Sequence, residues 1–193
     1  MAPKLILTGF MATGKSAVGR AAAARLGWRL VDSDAELVTR AGKSIPAIFA
    51  EEGEAHFRAL EREVIAAVAG DPNRCPQCGA PRPAVISTGG GVLVDDQNYA
   101  ALKRAGLIIC LIARPEIIAA RVRRSPHARP KLLEGGKPLE VRIAELLEER
   151  RSAYARADFM VDTSDLSVAE SAERVLEIFA RRGRDIHRCA PFA

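Results

Sequence analysis

No apolar run in this chain reaches the roughly 18–20 residues that a membrane-spanning helix requires, so none is expected. The first residues pass almost directly into the short run KLILTGF. The charged n-region, long apolar segment and small-residue cleavage site of a secretory signal are missing, and a cytoplasmic location is the expectation. Cysteine is sparse: four in 193 residues do not look like the disulfide framework of a secreted protein. Internal repeats and low-complexity linkers are also lacking. The length suits one α/β domain with a full core and falls short of two independent ones.

What is present is an ordinary globular composition, 48% hydrophobic and 27% charged, with a formal net charge of +5. The positive excess is local. Arg121, Arg123, Arg124, Arg129 and Lys131 crowd one stretch, and Arg181, Arg182 and Arg184 another. Clustering of this kind favours an anionic small ligand over a broad nucleic-acid stripe. A monomer acting on a small molecule, with neither nucleic acid nor membrane as partner, is the expectation.

Short runs rich in Leu, Ile and Val predict strands at Lys4–Thr8, Arg29–Asp32, Ala84–Thr88, Leu107–Ile112 and Phe159–Asp162. Helices are expected between them at Lys15–Leu26, Asp34–Ala41, Ser44–Glu52, Glu54–Ala69, Gln97–Ala105, Pro115–Arg123, Leu139–Ala157 and Ser167–Arg181. Ser167 and Glu170 give the last a capping-box start. Strand–helix alternation predicts an α/β sandwich with right-handed crossovers. Two stretches interrupt the rhythm: GDPNRCPQCGAPRP reads as a loop or small excursion, and SPHARPKLLEGGKP as a flap.

GFMATGKS satisfies Gly-x4-Gly-Lys-Ser between a predicted strand and a predicted helix, which is the context a phosphate-binding loop requires. Such a turn aims successive backbone N–H groups inward, and the helix N-terminus adds the positive end of its dipole. Gly9, Ala12, Thr13, Gly14, Lys15, Ser16 and Ala17 would cradle ATP, with Lys15 reaching the β- and γ-phosphates and the Ser16 hydroxyl ligating Mg²⁺. Ala12 stands where a glycine is frequent; a positive φ there would cost about 1 kcal/mol.

The next predicted strand ends in VDSD, placing Asp32 and Asp34 on one side of an extended chain. Asp32 can hold Mg²⁺ through water, and Asp34 can accept a hydroxyl proton; the alternative is an N-cap for the following helix. In FAEEGEAHFRALE, Arg58 and Glu61 lie three apart and can pair, either as a rigid fork for a carboxylate or as a surface salt bridge. STGGGV follows the third strand, where bare backbone can approach a ligand or simply turn.

Taken in order, GFMATGKS, VDSD, IFAEEGEAHFRALE, GGG, RP, ERRSAYARAD and VDT resemble shikimate kinase, a small-molecule kinase family related in fold to nucleoside monophosphate kinases. The likeness runs from about Lys4 to about Phe179. It implies a three-layer sandwich on a five-stranded parallel sheet, and ATP-dependent phosphorylation of the 3-hydroxyl of shikimate in aromatic amino acid biosynthesis. By position it implies Lys15, Asp34 and Arg129 as catalytic, with Arg129 closing over the phosphates. Asp34, Arg58, Arg150 and the backbone of Gly89, Gly90 and Gly91 would bind shikimate, while Phe49, Phe57 and Glu61 line or brace the pocket. Arg121, Arg123 and Arg124 compete for the arginine that packs on adenine, and Arg124 is the candidate. Ser152 and Ala153 replace the family's usual Pro-Leu, and Lys131 interrupts its Arg-Pro-Leu-Leu. Residues 1–182 then form a single domain, with substrate helices near 33–62, a cysteine insertion near 70–84, the flap near 124–138, and a tail at 183–193. Kinases for another hydroxy acid such as gluconate, or a non-catalytic ATP or shikimate sensor, are the competing readings.

Cys75 and Cys78 in CPQCG form half of a zinc ribbon. His187 and Cys189 can complete a structural Zn²⁺ site if the tail folds back; free thiols or a redox disulfide are the alternatives. Cys110 lies in an apolar strand and is read as core.

Overall fold

The computed structural model describes residues 4–70, 82–124 and 138–182. Its organisation follows from one strand, Lys4–Gly9 (β1), which is buried at every position. Side chains alternate along it, so Leu5 and Leu7 enter one core while Ile6 enters another. A strand apolar on both faces has to lie inside a parallel sheet covered on both sides.

That sheet has the order β2-β3-β1-β4-β5, with Arg29–Asp32 as β2, Ala84–Ser87 as β3, Gly106–Ile112 as β4 and Phe159–Asp162 as β5. All pairings are parallel, and the register aligns Ile86, Ile6 and Ile108 in one row. Over that row lie Ser33–Ala41 (α2), Ile45–Glu51 (α3), Gly53–Gly70 (α4) and Asp96–Ala105 (α5), contributing Leu37, Ile48, Val64, Ile65 and Leu102. Lys15–Leu26 (α1) and Val168–Arg182 (α9) cover the opposite face through Val18, Ala22, Val175 and Phe179. A third cluster joins Phe10 and Cys110 to Pro115–Arg123 (α6), Leu139–Glu149 (α7) and Arg151–Tyr154 (α8). The result is the expected three-layer α/β sandwich on a five-stranded parallel sheet. No helix among the described residues is long and apolar enough to cross a membrane.

Local chemistry sets the helix ends. Ser44 caps α3 by accepting from the Ala47 N–H, and Asp95 caps α5 by accepting from Gln97 and Asn98. Ser167 and Glu170 exchange hydrogen bonds of 3.2 and 2.8 Å, completing the expected capping box. At the other end of α4, the buried Lys4 ammonium donates to the carbonyls of Val68 (2.9 Å) and Ala69 (2.5 Å), where the helix dipole is negative.

Two features differ from the sequence expectation. The helix read as Leu139–Ala157 is broken at Arg150 (φ −103°, ψ 3°) into α7 and the single turn α8. The break lets Arg150 and Tyr154 both turn toward the Gly89–Gly91 loop, a tertiary gain that overrides a continuous helical pattern. A 3₁₀ turn over Val92–Val94, missing from the expectation, carries that loop into α5.

Because every strand runs the same way, the C-terminal ends of β1, β2 and β3 (Gly9, Asp32, Ser87) open on one edge of the sheet. In open parallel sheets this is the edge at which ligands bind.

Candidate active site

The first part of the site is the turn between β1 and α1. Gly9 has φ 130°, and a Cβ there would sit 2.1 Å from the Leu111 carbonyl oxygen, so β1 passes β4 too closely for any side chain. Gly14 has φ 99° and no side chain caps α1, which leaves first-turn N–H groups for an anion. Thr13 Oγ1 and Lys15 Nζ both donate to the Phe10 carbonyl, at 2.8 and 2.9 Å, and curl the loop around its own backbone. Ala17 lies in the first turn of α1 behind them. Ala12 is the one non-glycine residue with positive φ (62°) among the described residues. The strain of about 1 kcal/mol is met by outside support. Arg121 Nη1 donates to the Ala12 carbonyl (3.2 Å), and Thr163 Oγ1 donates to the Thr13 carbonyl (3.0 Å).

That contact redistributes the arginines of the basic stretch. Arg121 is a brace, bonded also to the Thr163 carbonyl at 2.6 Å, and Arg123 pairs with Glu140 at 2.5 Å. Arg124, at the C-cap of α6, stays exposed. Arg129 lies outside the described residues, as do Lys131, Cys75, Cys78, His187 and Cys189. No group of three or more metal-ligating side chains occurs among the described residues.

The two oxygens of the Asp32 carboxylate take different partners. Oδ2 accepts from the Ser16 hydroxyl at 2.9 Å, while Oδ1 accepts from the N–H groups of Asp34 and Ala35 and caps α2. The buried Ser87 hydroxyl lies 3.5 Å from Ser16 Oγ. A hydroxyl and a carboxylate oxygen side by side fit Mg²⁺, which takes few protein oxygens and completes its shell with phosphate and water.

The second part is built on Gly89, Gly90 and Gly91. A Cβ on Gly89 would lie 2.7 Å from Asp34 Oδ1, one on Gly90 3.6 Å from Arg150 Nη1, and one on Gly91 3.2 Å from Arg58 Nη1. One acid and two cations, from three separate elements, therefore converge on bare backbone. The Gly90 position is also 3.3 Å from the Gly9 carbonyl oxygen and 3.5 Å from the Met11 nitrogen, so the glycine loop abuts the phosphate loop.

Each charged group is held. The Ser33 hydroxyl accepts from the Gly89 N–H (3.1 Å) and ties α2 to the loop. Arg58 donates Nη1 to Glu61 (2.9 Å) and Nη2 to Glu54 (3.1 Å), and its guanidinium lies 5.2 Å from the Phe57 ring centroid. Phe49 stacks on Phe57 at 4.4 Å. Arg150 donates to the Gly90 carbonyl and lies 5.6 Å from the Phe10 ring. The Tyr154 hydroxyl donates to the same carbonyl at 2.7 Å.

Burial sets the electrostatics. It raises the Asp34 carboxyl above its ordinary value, with the neighbouring Asp32 adding to the rise and Lys15 opposing it. Glu61 is raised by burial against the pull of Arg58. Burial pushes the Tyr154 phenol up to about 12, so it remains a donor, and likewise the Cys110 thiol, the inert core group expected. A cavity of ≈ 800 Å³ between β5 and α9, lined by Met160, Glu173, Arg174 and Glu177 among others, touches none of these residues.

The residues that sequence reading missed are supports. Ser33, Thr163, Tyr154 and the brace role of Arg121 act through contacts distant in sequence.

Comparison with known proteins identifies the family. The family model described as Shikimate kinase matches residues 11–180. The shikimate kinase of Desulforudis audaxviator is 42% identical over 179 residues, covering 93% of this chain and 87% of its own. That of Geobacter metallireducens is 43% identical over 166 residues, covering 86% of each chain. A solved structure of shikimate kinase from Acinetobacter baumannii in complex with shikimate superposes with a TM-score of 0.83 at 29% identity, covering 96% of this chain and 97% of that one. A gluconokinase from Sinorhizobium meliloti, at 18% identity and a TM-score of 0.54 over 93% of each chain, shares the fold alone. The chain belongs to the shikimate kinase family.

Proposed function

We propose that this chain transfers the γ-phosphoryl group of ATP to the 3-hydroxyl of shikimate, giving shikimate 3-phosphate and ADP. The observation that carries the reading is the convergence of Asp34, Arg58 and Arg150 on Gly89–Gly91, directly beside the phosphate loop. Two guanidinium groups suit a carboxylate, and a half-buried aspartate with a raised pKa suits a hydroxyl proton. Family membership and the relatives named above support the same acceptor.

In this reading the first-turn N–H groups of α1 and Lys15 bind the phosphates, and Ser16 and, through water, Asp32 would hold Mg²⁺, which when bound would neutralise developing phosphate charge. Arg58 and Arg150 grip the acceptor carboxylate, and the stacked Phe49 and Phe57 wall the pocket. Asp34 orients the acceptor hydroxyl and takes its proton as the acceptor oxygen bonds to the γ-phosphorus. The bond from that phosphorus to the bridging oxygen breaks, and ADP leaves with the electron pair. Arg129 serves as the cation that closes over the phosphates, and Arg124 as the one that packs on adenine. Positioning and charge neutralisation supply most of the rate.

The test is a pair of variants. Arg150→Ala removes one carboxylate ligand, and Arg58→Lys keeps the charge beside buried Glu61 while losing the fork. Each is expected to raise the KM for shikimate about tenfold or more, with the KM for ATP within about twofold of wild type. An unchanged shikimate KM in both variants would overturn the assignment.

A further inference from the structure

Gly89–Gly91 has no side chains with which to hold itself between Arg58 and Arg150. Its backbone continues into the 3₁₀ turn: the Val92 N–H donates to the Gly89 carbonyl (3.4 Å) and the Val94 N–H to that of Gly91 (3.0 Å). Val92 and Leu93 are 1% exposed and fix this segment against the core. What lies on either side of it is fixed by two further arginines.

From α4, Arg62 donates Nη1 to Asp95 Oδ2 at 3.2 Å. Arg62 stands one turn beyond Arg58 on the same helix. The other oxygen of Asp95 caps α5 through Gln97 (2.8 Å) and Asn98 (3.0 Å), so this carboxylate joins α4 to the start of α5. From the opposite side, Arg156 follows the turn α8 that Arg150 introduces. Its Nη1 donates to the Leu93 carbonyl (3.3 Å) and pairs with Asp96 (2.7 Å), and its guanidinium lies 3.8 Å from the Tyr99 ring centroid. Both elements that carry an acceptor arginine are thus fastened to one short stretch, Leu93–Tyr99, which is continuous with the glycine loop.

We propose that Arg62 and Arg156 are positioning residues that fix the span between Arg58 and Arg150 across the Gly89–Gly91 loop, and thereby set acceptor affinity without touching the acceptor. The inference rests on the acceptor site proposed above. The ion pair of Arg156 with the exposed Asp96 contributes little alone; the carbonyl bond and the aromatic seat are what hold the guanidinium in place. Release of either strap lets one guanidinium drift from its partner. A carboxylate gripped at two points loses affinity steeply with such drift, whereas the phosphate loop, tied independently through Arg121 and Thr163, does not move.

The experiment compares Arg62→Gln, Asp95→Asn, their double variant and Arg156→Ala in steady-state kinetics with both substrates varied. Asn retains the cap on α5 while removing the charge that Arg62 binds, so folding is preserved. Each single variant is expected to raise the KM for shikimate about three- to tenfold, with kcat and the KM for ATP within about twofold of wild type. The double variant should match the singles rather than multiply them. Arg150→Ala runs alongside. If it raises the shikimate KM and the strap variants leave it unchanged, the positioning role is overturned while the acceptor site stands. If Arg150→Ala also leaves it unchanged, the acceptor site itself fails. Equal losses in kcat and both KM values, accompanied by a lower Tm, would mark the arginines as general structural supports and likewise overturn the proposal.

Discussion

Gly89→Ala isolates the contact on which the proposed chemistry depends. The residue has no positive φ, so alanine meets no backbone strain. The added methyl would lie 2.7 Å from Asp34 Oδ1, and ordinary contact begins at 3.4 Å, so the carboxylate has to retreat by the difference, 3.4 − 2.7, about 0.7 Å. That end of the side chain can swing, and the fold absorbs the change. Catalysis does not absorb it, because a misplacement of about 1 Å at a reacting group costs up to about 100-fold. A drop in kcat of about 10- to 100-fold, or about 1.4–2.7 kcal/mol, is therefore expected. Nucleotide affinity, read by titration, should stay within about twofold, since nothing in the phosphate loop is displaced. Gly91→Ala supplies the gradient: its methyl would stand 3.2 Å from Arg58 Nη1 and require only a few tenths of an ångström. Its effect should be confined to the shikimate KM and to about threefold or less. A Gly89→Ala enzyme turning over within twofold of wild type, measured by ADP release, would refute the placement of Asp34 against the glycine loop as the basis of catalysis.

Other substitutions probe separate parts of the account. Asp34→Asn should abolish most turnover and with it the acidic limb of the kcat/KM–pH profile, which in the wild type lies above the ordinary aspartate range because burial raises this carboxyl. The same shift has a stability sign. A group that binds its proton more tightly when folded loses stability as pH rises through its folded pKa, so Asp34→Asn should raise Tm at neutral pH, and the gain should vanish at acid pH. Thr163→Val removes the hydroxyl that bonds the Thr13 and Ile112 carbonyls; it should cost about 1–2 kcal/mol of stability and raise the KM for ATP rather than for shikimate. Tyr154→Phe deletes the bond to the Gly90 carbonyl, with a loss of about 1 kcal/mol in denaturant melts and a higher shikimate KM.

Much of this molecule is legible in its sequence for definite reasons. β1 and β4 read as buried strands because their apolar runs are too short for helices, and α1 starts where Gly-Lys-Ser ends the loop. Asp34 is legible because it stands two residues from Asp32 at the end of a predicted strand, and Arg58 and Glu61 because a spacing of three keeps them on one helix face. The break at Arg150 was not legible: ERRSAYARAD contains neither glycine nor proline, and only the distant Gly90 carbonyl explains why the helix yields there. The brace on Ala12 was hidden for a related reason, since Arg121 stands 109 residues from that carbonyl and Thr163 stands 150 from the Thr13 carbonyl. The sequence offers Asp32 as a metal partner or a cap; one oxygen caps α2 and the other accepts from the Ser16 hydroxyl.

The central claim is that paired arginines beside a phosphate loop select a carboxylated polyol, and that it is shikimate. Coupled ADP release by the full chain with ATP and Mg²⁺, compared across shikimate, quinate and gluconate at equal concentration, tests this most directly. Rapid release is expected with shikimate, and release near the ATP-hydrolysis background with gluconate. No release above that background with shikimate would contradict it.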